Sequence, residues 1–378
     1  MAEGLRELDK NTQAFFALVR AGLWENKVRL IQYESIDYIS LLELASEQSV
    51  VGLISAGLEH VVDVKVPKEC ALQFVGQTLQ IEQQNRAMNA FVAELIEKLR
   101  QADIYTLLVK GQGIAQCYER PLWRACGDVD LYLSKDNYKR AKSYLSPLAQ
   151  NVENEDNKRL HLGMTIAGWV VELHGSMYTK LSEKMNRVSD EVYKDLFCNG
   201  SVRSCEINGV QVFLPSSDND TIIIFNHFIN HFFLEGVGLR QICDWCRLLW
   251  TYKESLHHGL LESRIRKMGL MTEWRVFGCF AVDYLGIPVE AMPFYSPALK
   301  WKRKAKRICK YVLESGNFGH NRDSSYRTKN PTAIVNTVTL WRRLCDFARF
   351  SSIFPCDSPK FFARYFWNRI TINDVDNE

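Results

Sequence analysis

Five short β-type segments lie between residues 104 and 215, and they constrain the fold more than any other feature of the chain. Each is rich in β-branched, aromatic or leucine residues and is bounded by Gly, Asn or Pro, which is typical of strands between turns. The segments are IYTLLVKG, DVDLYLS, HLGMTIAG, WVVELHG and EINGVQVFLP. Ala167-Gly168 and Asn208-Gly209 each separate two β-type runs and predict hairpin turns. The middle of the chain is therefore predicted to form a small mixed sheet with antiparallel pairs.

Helical periodicity surrounds this block on both sides. From residue 6 to about 100, and again from Ser216 onward, apolar residues recur at three- and four-residue intervals, which indicates amphipathic helices. The predicted fold class is α/β (α+β), a small mixed sheet flanked by helices. We expect an N-terminal helical segment over 1–100, an α/β core over 101–215 and a C-terminal helical domain over 216–378.

Composition is that of a soluble globular protein, with 47% hydrophobic and 24% charged residues. The first residues lack the pattern of a secretory signal, and the most apolar region, 221–239, is interrupted by polar residues. We therefore expect a cytoplasmic protein without a membrane span. The odd cysteine count, 11, favours reduced thiols over a disulfide framework. A net charge of +3 does not by itself indicate a nucleic-acid partner.

Two aspartates share one face of a segment that is otherwise apolar. In GDVDLYLS, Asp128 and Asp130 alternate with hydrophobic residues, so both carboxylates point to the same side of the predicted strand. Adjacent carboxylates repel each other, and a divalent cation such as Mg²⁺ or Mn²⁺ is the simplest compensation. The alternative is a solvated edge strand that carries two surface aspartates.

The neighbouring segments favour the metal hypothesis. Upstream, Lys110 lies in the turn Lys-Gly-Gln-Gly, where Gly111 and Gly113 allow backbone N–H groups to approach a phosphate. Downstream, Glu172 and His174 share one face of another predicted strand, and Arg124 adds a second cation just before Asp128. Phosphoryl or nucleotidyl transfer requires acids that hold one or two metal ions, and cations and a glycine turn that bind phosphates. This part of the sequence contains three such acids, two cations and a glycine turn.

The order of these motifs is similar to that of a known family. LLVKGQGIAQCYERPLWRACGDVDLYL, then VVELHGSM, then a helix with H-x3-H and GLRQICDW, resembles the uncharacterised nucleotidyltransferase family of the polymerase-β-type superfamily. The resemblance implies that Asp128, Asp130 and Glu172 bind metal. It also implies that Lys110, Gly111 and Arg124 contact the nucleotide. The usual Gly-Ser or Gly-Gly turn of the superfamily is replaced here by Lys110-Gly111-Gln112-Gly113.

The resulting hypothesis is transfer of a nucleoside monophosphate from a nucleoside triphosphate to a hydroxyl group by a two-metal mechanism. In this hypothesis Glu172 is either a metal ligand or the general base. The acceptor is left open among a protein, a sugar, a small molecule and RNA. Two alternatives remain: a catalytically silent protein on the same fold that binds a nucleotide or a partner, and an RNA-binding adaptor that uses the basic run at 300–310.

Further polar residues have several interpretations. His174 either orients Glu172, contacts phosphate or is structural, and a structural role is favoured for His161. His227 and His231 are spaced i, i+4, so one of them is a candidate for the cleft. Together with Cys243 and Cys246 they have the ligand types of a zinc site, a weaker hypothesis. Arg240 and Asp244, also at i, i+4, form either a helix ion pair or part of the substrate site. A solvated helix face is the favoured interpretation of the run at 300–310.

Overall fold

The computed structural model describes residues 3–317 and 332–373 of the chain. Before the first strand, the described residues form α1 (Glu3–Arg6), α2 (Lys10–Trp24), α3 (Tyr38–Glu47), α4 (Val51–Glu59) and α5 (Lys68–Gln101). Among the strands lie α6 (Gly111–Ala115), α7 (Lys135–Leu145) and α8 (Glu183–Phe197). After them come α9 (Ser217–Leu234), α10 (Leu239–Thr251), α11 (His258–Met268), α12 (Met271–Phe280), α13 (Leu299–Ser315) and helices over Thr332–Ile353 and Ser358–Asn373.

The central sheet has five strands: β1 (Leu107–Val109), β2 (Asp128–Tyr132), β3 (Asn151–Val152), β4 (His161–Ile166) and β5 (Trp169–His174). Their order is β1-β2-β5-β4-β3, with β2 and β5 parallel and the other neighbours antiparallel. The hairpin of β6 (Val202–Ile207) and β7 (Val210–Pro215) is a separate sheet that packs against β1. The predicted fold class, a mixed sheet flanked by helices, is confirmed. The short, exposed β3 was not predicted because its two residues carry no alternating pattern.

Both predicted hairpin turns are present. Ala167-Gly168 joins β4 to β5, and Asn208-Gly209 joins β6 to β7. The φ angles are 50° and 81° in the first turn and 48° and 80° in the second. Two successive positive φ angles define a type I′ turn, whose twist matches that of paired strands. The first turn therefore fixes the register of β4 against β5, two strands that supply polar side chains to the same face.

The long helix α5 holds the loop that leads into β2. The buried side-chain amide of Asn85 donates to the carbonyl oxygens of Leu122 and Arg124, each at 2.8 Å. Its amide oxygen accepts a hydrogen bond from Gln112 of α6, also at 2.8 Å. One buried amide thus ties the turn after β1 and the loop before β2 to the same helix.

Aromatic side chains form the core of the C-terminal helices. Phe225 and Phe228 of α9 pack against Trp245 of α10 and Trp274 of α12, with ring centroids 4.7 to 5.6 Å apart. This apolar face leaves the polar face of α9 free to meet the sheet. Within residues 3–317 and 332–373, no helix is long and apolar enough to cross a membrane. All eleven cysteines are free, as the sequence predicted.

The basic run at 300–310 lies on α13, which buries Trp301 and Ile308 against the core. Three of its cations lie beside acids: Lys302 beside Asp283, Lys306 beside Glu7 and Lys310 beside Glu314. These contacts favour the interpretation as a solvated helix face. An anionic partner for this run stays a prediction.

The buried carboxyl of Glu273 in α12 makes stability depend on pH. Burial, together with repulsion from Asp357, raises the pKa of Glu273 to about 8. Because the unfolded chain releases this proton near the ordinary pKa of 4.5, the folded state binds one proton more at intermediate pH. Stability therefore falls as pH rises through this window. As pH rises from about 5 to about 8, the free energy of unfolding of Glu273→Gln should increase by about 1–3 kcal/mol relative to that of the wild type. Thermal unfolding at both pH values measures the gain.

The exposed Glu290 offers the matched control, and Glu290→Gln should follow the wild type at each pH. If the difference in Tm between Glu273→Gln and the wild type were the same at both pH values, the buried carboxyl would not be the source of the pH dependence.

Candidate active site

The strand register brings five polar residues to one face of the sheet. Asp130 of β2 lies opposite Glu172 of β5, and His161 of β4 lies opposite His174 of β5. Asp128 is on the same face as Asp130 because side chains alternate along a strand. The hydrophobic residues between them are buried in the core on the other side. Since β2 lies between β1 and β5, it is not an edge strand, and the alternative of a solvated edge with two surface aspartates is wrong.

Asp130 is the centre of a buried charge network. Its side chain is only 2% exposed, and its Oδ1 accepts hydrogen bonds from Lys110 Nζ and from His174 Nε2, both at 2.7 Å. Burial alone lowers the pKa of Lys110 and of His174, but the neighbouring carboxylates outweigh it and raise both pKa values. Both groups therefore favour their charged forms more than they would in water, with Asp130 as the partner of each.

A strained turn aims Lys110 at this network. Lys110 has a φ of 55° and Gly111 a φ of 35°, positive values that a Cβ atom disfavours and that glycine adopts readily. A Cβ at Gly111 would lie 3.1 Å from Cys126 Sγ and 3.3 Å from the carbonyl oxygen of Asp128. At Gly113 it would lie 3.0 Å from Leu214 of β7. The glycines thus allow close packing between β1, β2 and β7, which places Lys110 over the acids.

Asp128 differs from Asp130 because its carboxylate makes no hydrogen bond or ion pair with any residue that the structure describes. Asp128 is half-buried and lines a cavity that lies between the sheet and α9. Repulsion from Asp130, with burial, raises the pKa of Asp128, although Lys110 partly opposes this. The site therefore has an excess of negative charge at Asp128, and a bound cation would offset it.

Glu172 accepts contacts from two histidines. Its Oε2 lies 3.3 Å from His161 Nε2 and 3.4 Å from His174 Nε2. Burial raises the pKa of Glu172, but the two histidines and Lys110 outweigh burial and hold this pKa far below its usual range. Glu172 is therefore a permanently charged carboxylate. The two imidazole rings are also in contact, with centroids 4.8 Å apart.

A cavity of about 440 Å³ opens between this face of the sheet and α9. The sheet side contributes Lys110, Asp128, His161, Glu172 and His174, and α9 contributes Asn226, His227, Asn230 and His231. Asn226 Oδ1 is buried and has no hydrogen-bond partner in the described part of the chain, so an acceptor faces the cavity unpaired. A small polar ligand fits the volume and the lining.

Several cavity residues were not predicted from the sequence. Asn226 and Asn230 lie one residue before His227 and His231 and follow the same i, i+4 spacing, so the histidine pair was a signal for both. Arg159, which also lines the cavity and pairs with Asp156 at 2.8 Å, had no such signal. The sequence predicts that one histidine of the pair faces the cleft. Both His227 and His231 line the cavity.

Arg124 lies in a buried ion pair. Its Nε and Nη2 donate to the two carboxylate oxygens of Asp244, at 3.0 and 2.7 Å, and Tyr118 donates to the same carboxylate at 2.7 Å. Both side chains of the pair are 6% exposed. The predicted helix pair of Arg240 with Asp244 is therefore replaced by a pair with Arg124, a residue far away in the sequence. Contact of Arg124 with a nucleotide stays a prediction.

Arg240 lines a smaller cavity, of about 30 Å³, next to the aspartate pair. This cavity is also lined by Lys110, Asp128 and Gln241. Arg240 Nη1 donates to the carbonyl oxygen of Ala125 at 2.7 Å, while its Nε is buried without a partner in the described residues. Both amide atoms of Gln241 are likewise unpaired there. Over the part of the chain that the structure describes, buried donors without a partner therefore lie next to the aspartate pair.

The zinc hypothesis for the C-terminal half is wrong. Cys243 and Cys246 are fully buried in α10, and burial raises the pKa of both thiols, which keeps them protonated. Over the described ranges, the one cluster of three potential metal ligands consists of His161, Glu172 and His174, whose ligand atoms lie within 4.8 Å of one another.

Comparison with known proteins gives one match. The model of a family described as uncharacterised nucleotidyltransferases matches residues 34–286, more than half of the chain. The matched range contains the aspartate pair, Glu172 and Arg240. No curated protein and no solved structure matches the chain significantly. The chain belongs to the uncharacterised nucleotidyltransferase family.

Proposed function

We propose that the protein transfers a nucleoside monophosphate from a nucleoside triphosphate to a hydroxyl acceptor, with a divalent metal ion at the aspartate pair. The observation that carries this proposal is the unpaired carboxylate of Asp128, which faces the cavity beside Asp130 and Glu172. The family to which the chain belongs supports the reaction class.

The acids fit a divalent cation of the Mg²⁺ or Mn²⁺ type. Asp128 and Glu172 line the same cavity, and the repulsion that raises the pKa of Asp128 is what a cation relieves. Asp130 would join them once Lys110 turns away from it toward a phosphate. When bound, the ion neutralises charge on the phosphates and lowers the pKa of the attacking hydroxyl.

The protein's own groups have distinct tasks in this proposal. Lys110 and Arg240, which both lie next to the aspartate pair, bind the phosphates. The acceptor hydroxyl loses its proton to solvent and attacks the α-phosphorus in line, and the bond to pyrophosphate breaks as pyrophosphate leaves. Glu172 acts as a ligand, because a carboxylate whose pKa is held far below its usual range is a poor general base. His174 holds Asp130 and Glu172 in place through its contacts at 2.7 and 3.4 Å.

A catalytically silent nucleotide-binding protein is the second candidate. Lys110 and His174 already balance much of the negative charge of Asp130 and Glu172 without a metal. Such a protein would bind a nucleoside triphosphate and release no pyrophosphate. The RNA-binding alternative has no comparable support, since α13 pairs three of its cations with acids.

Purified protein with Mg²⁺ or Mn²⁺ and each labelled nucleoside triphosphate tests the proposal. We expect one or more nucleotides to bind, and pyrophosphate to be released when a panel of sugars, small hydroxyl compounds and RNA is added. Mass spectrometry of the protein detects self-modification as a further acceptor. Binding without pyrophosphate release under any condition would favour the silent protein, and failure to bind any nucleotide would exclude both.

Arg240 gives a prediction about the phosphates. Arg240→Gln should raise the KM for the nucleoside triphosphate by about 10-fold or more, because a charge-assisted hydrogen bond contributes about 1.5–3 kcal/mol. Steady-state pyrophosphate release measures the change. Arg266→Gln removes an exposed cation paired with Glu262 on α11 and should leave KM unchanged. An unaltered KM in Arg240→Gln would place the phosphates elsewhere.

A further inference from the structure

We propose that His161, Glu172 and His174 bind a divalent transition-metal ion of the Zn²⁺ class, a site of mixed nitrogen and oxygen ligands that differs from the all-carboxylate site. This site extends the proposed function. It rests on that proposal only in that Glu172 is a metal ligand in both. It selects the class of the metal and adds His161, for which a structural role was favoured, to the ligands.

The distances suit a metal ion. Bonds from Zn²⁺ to imidazole nitrogen and carboxylate oxygen are about 2.0–2.2 Å, so two ligands at a tetrahedral angle lie roughly 3.4 Å apart. Glu172 Oε2 lies 3.3 Å from His161 Nε2 and 3.4 Å from His174 Nε2. The three ligand atoms all lie within 4.8 Å of one another. A small movement of the imidazole rings therefore closes the site around one ion.

The scaffold holds these ligands in place before a metal arrives. His161 and His174 are directly opposite each other in the antiparallel pair of β4 and β5, and Glu172 is two residues before His174 on the same face. The type I′ turn at Ala167-Gly168 fixes that pairing. Sites built on paired strands hold their geometry better than sites on loops.

The ligand types select the metal class. Imidazole nitrogen suits zinc, copper, iron and nickel, whereas Mg²⁺ and Mn²⁺ prefer oxygen ligands and Mg²⁺ usually keeps several waters. Asp130 Oδ1 lies 2.7 Å from the same His174 Nε2, so this hydrogen bond is given up when Nε2 binds the ion, and Asp130 becomes a further oxygen beside the site. His161 and Glu172 retain 29% and 28% exposure and line the main cavity, so a coordination position stays open to a substrate. Binding displaces the proton that His174 holds toward the carboxylates, and this proton is released to solvent.

Metal binding to the chelator-treated protein tests the inference directly. Titration calorimetry with Zn²⁺ should give one site, and His161→Asn should weaken it by at least about 100-fold, since loss of an outer-shell partner already costs 10- to 100-fold. His258→Asn, at an exposed histidine of α11, should bind Zn²⁺ like the wild type. Equal affinity in His161→Asn and the wild type would overturn the inference.

Pulsed electron paramagnetic resonance of the protein loaded with Cu²⁺, a paramagnetic ion that prefers imidazole ligands, gives an independent readout. The wild type should show ¹⁴N couplings from coordinated imidazole, and His161→Asn should lose part of them, while His258→Asn keeps them. Cu²⁺ bound to the wild type without any ¹⁴N coupling would overturn the inference, even if a variant fails to fold.

The two proposals fail in different ways. Pyrophosphate release that proceeds with Mg²⁺ and is unaltered in His161→Asn would overturn the nitrogen-ligated site and leave nucleotidyl transfer intact. Nitrogen coordination in a protein that binds no nucleoside triphosphate would support this site and overturn the proposed function.

Discussion

Replacement of Asp128 by Asn should lower metal-dependent nucleotidyl transfer by at least about 100-fold, because a metal ion contributes several kcal/mol to the stability of the transition state. The same substitution should leave Tm unchanged or raise it. Repulsion from Asp130 and burial raise the pKa of Asp128 in the folded protein, so its charge opposes folding at neutral pH. Pyrophosphate release and thermal unfolding, measured on the same preparation, test both expectations.

This combination separates a functional carboxylate from a structural one. Asp130→Asn should also abolish transfer, but it should lower Tm, because Lys110 and His174 would lose a charged partner in a buried network. Asp136→Asn, at an exposed position in α7, is the control for the chemical change and should retain activity. Transfer by Asp128→Asn at the wild-type rate would remove the metal site from the mechanism, and a large fall in its Tm would make Asp128 a structural residue.

Local patterns predicted the sheet face and its acids. Alternation along GDVDLYLS placed Asp128 and Asp130 together, and the two-residue turns placed both hairpins. The turn at Ala167-Gly168 also determines which residues of β4 and β5 are opposite each other. Counting outward from it pairs His161 with His174, so the histidine beside Glu172 was within reach of the sequence. The sequence favours a structural role for His161, because no second histidine recurs at strand or helix spacing beside it.

Long-range contacts set the limit of such prediction. The parallel pairing of β2 with β5 unites Asp130 and Glu172, yet nothing local in either segment specifies its partner. The same holds for Arg124, which is separated from Asp244 by 120 residues. The i, i+4 spacing of Arg240 and Asp244 predicted a helix pair, but the two-pronged geometry of Arg124 takes both carboxylate oxygens. Arg240 is left beside the acids instead.

Loss of the ion pair between Arg124 and Asp244 should have a large effect on the free energy of unfolding. Arg124→Ala should destabilise the protein by about 3–5 kcal/mol, because it leaves the Asp244 carboxylate buried without its cation. Asp244→Ala should cost a similar amount, and the double variant should cost less than the sum of the two. Urea unfolding of the four proteins in this cycle gives the coupling energy. Additive costs would mean that the two side chains stabilise the fold independently.

A repacked variant then separates stability from nucleotide binding. Arg124→Met with Asp244→Leu and Tyr118→Phe replaces the buried polar network by apolar side chains, a change that often restores stability. If Arg124 acts only by fixing the loop before β2, this variant should bind the nucleoside triphosphate as the wild type does. If Arg124 contacts the nucleotide, as the family resemblance implies, affinity should stay low although Tm recovers. Arg124→Ala alone cannot make this distinction, because it disturbs the loop and removes the cation together.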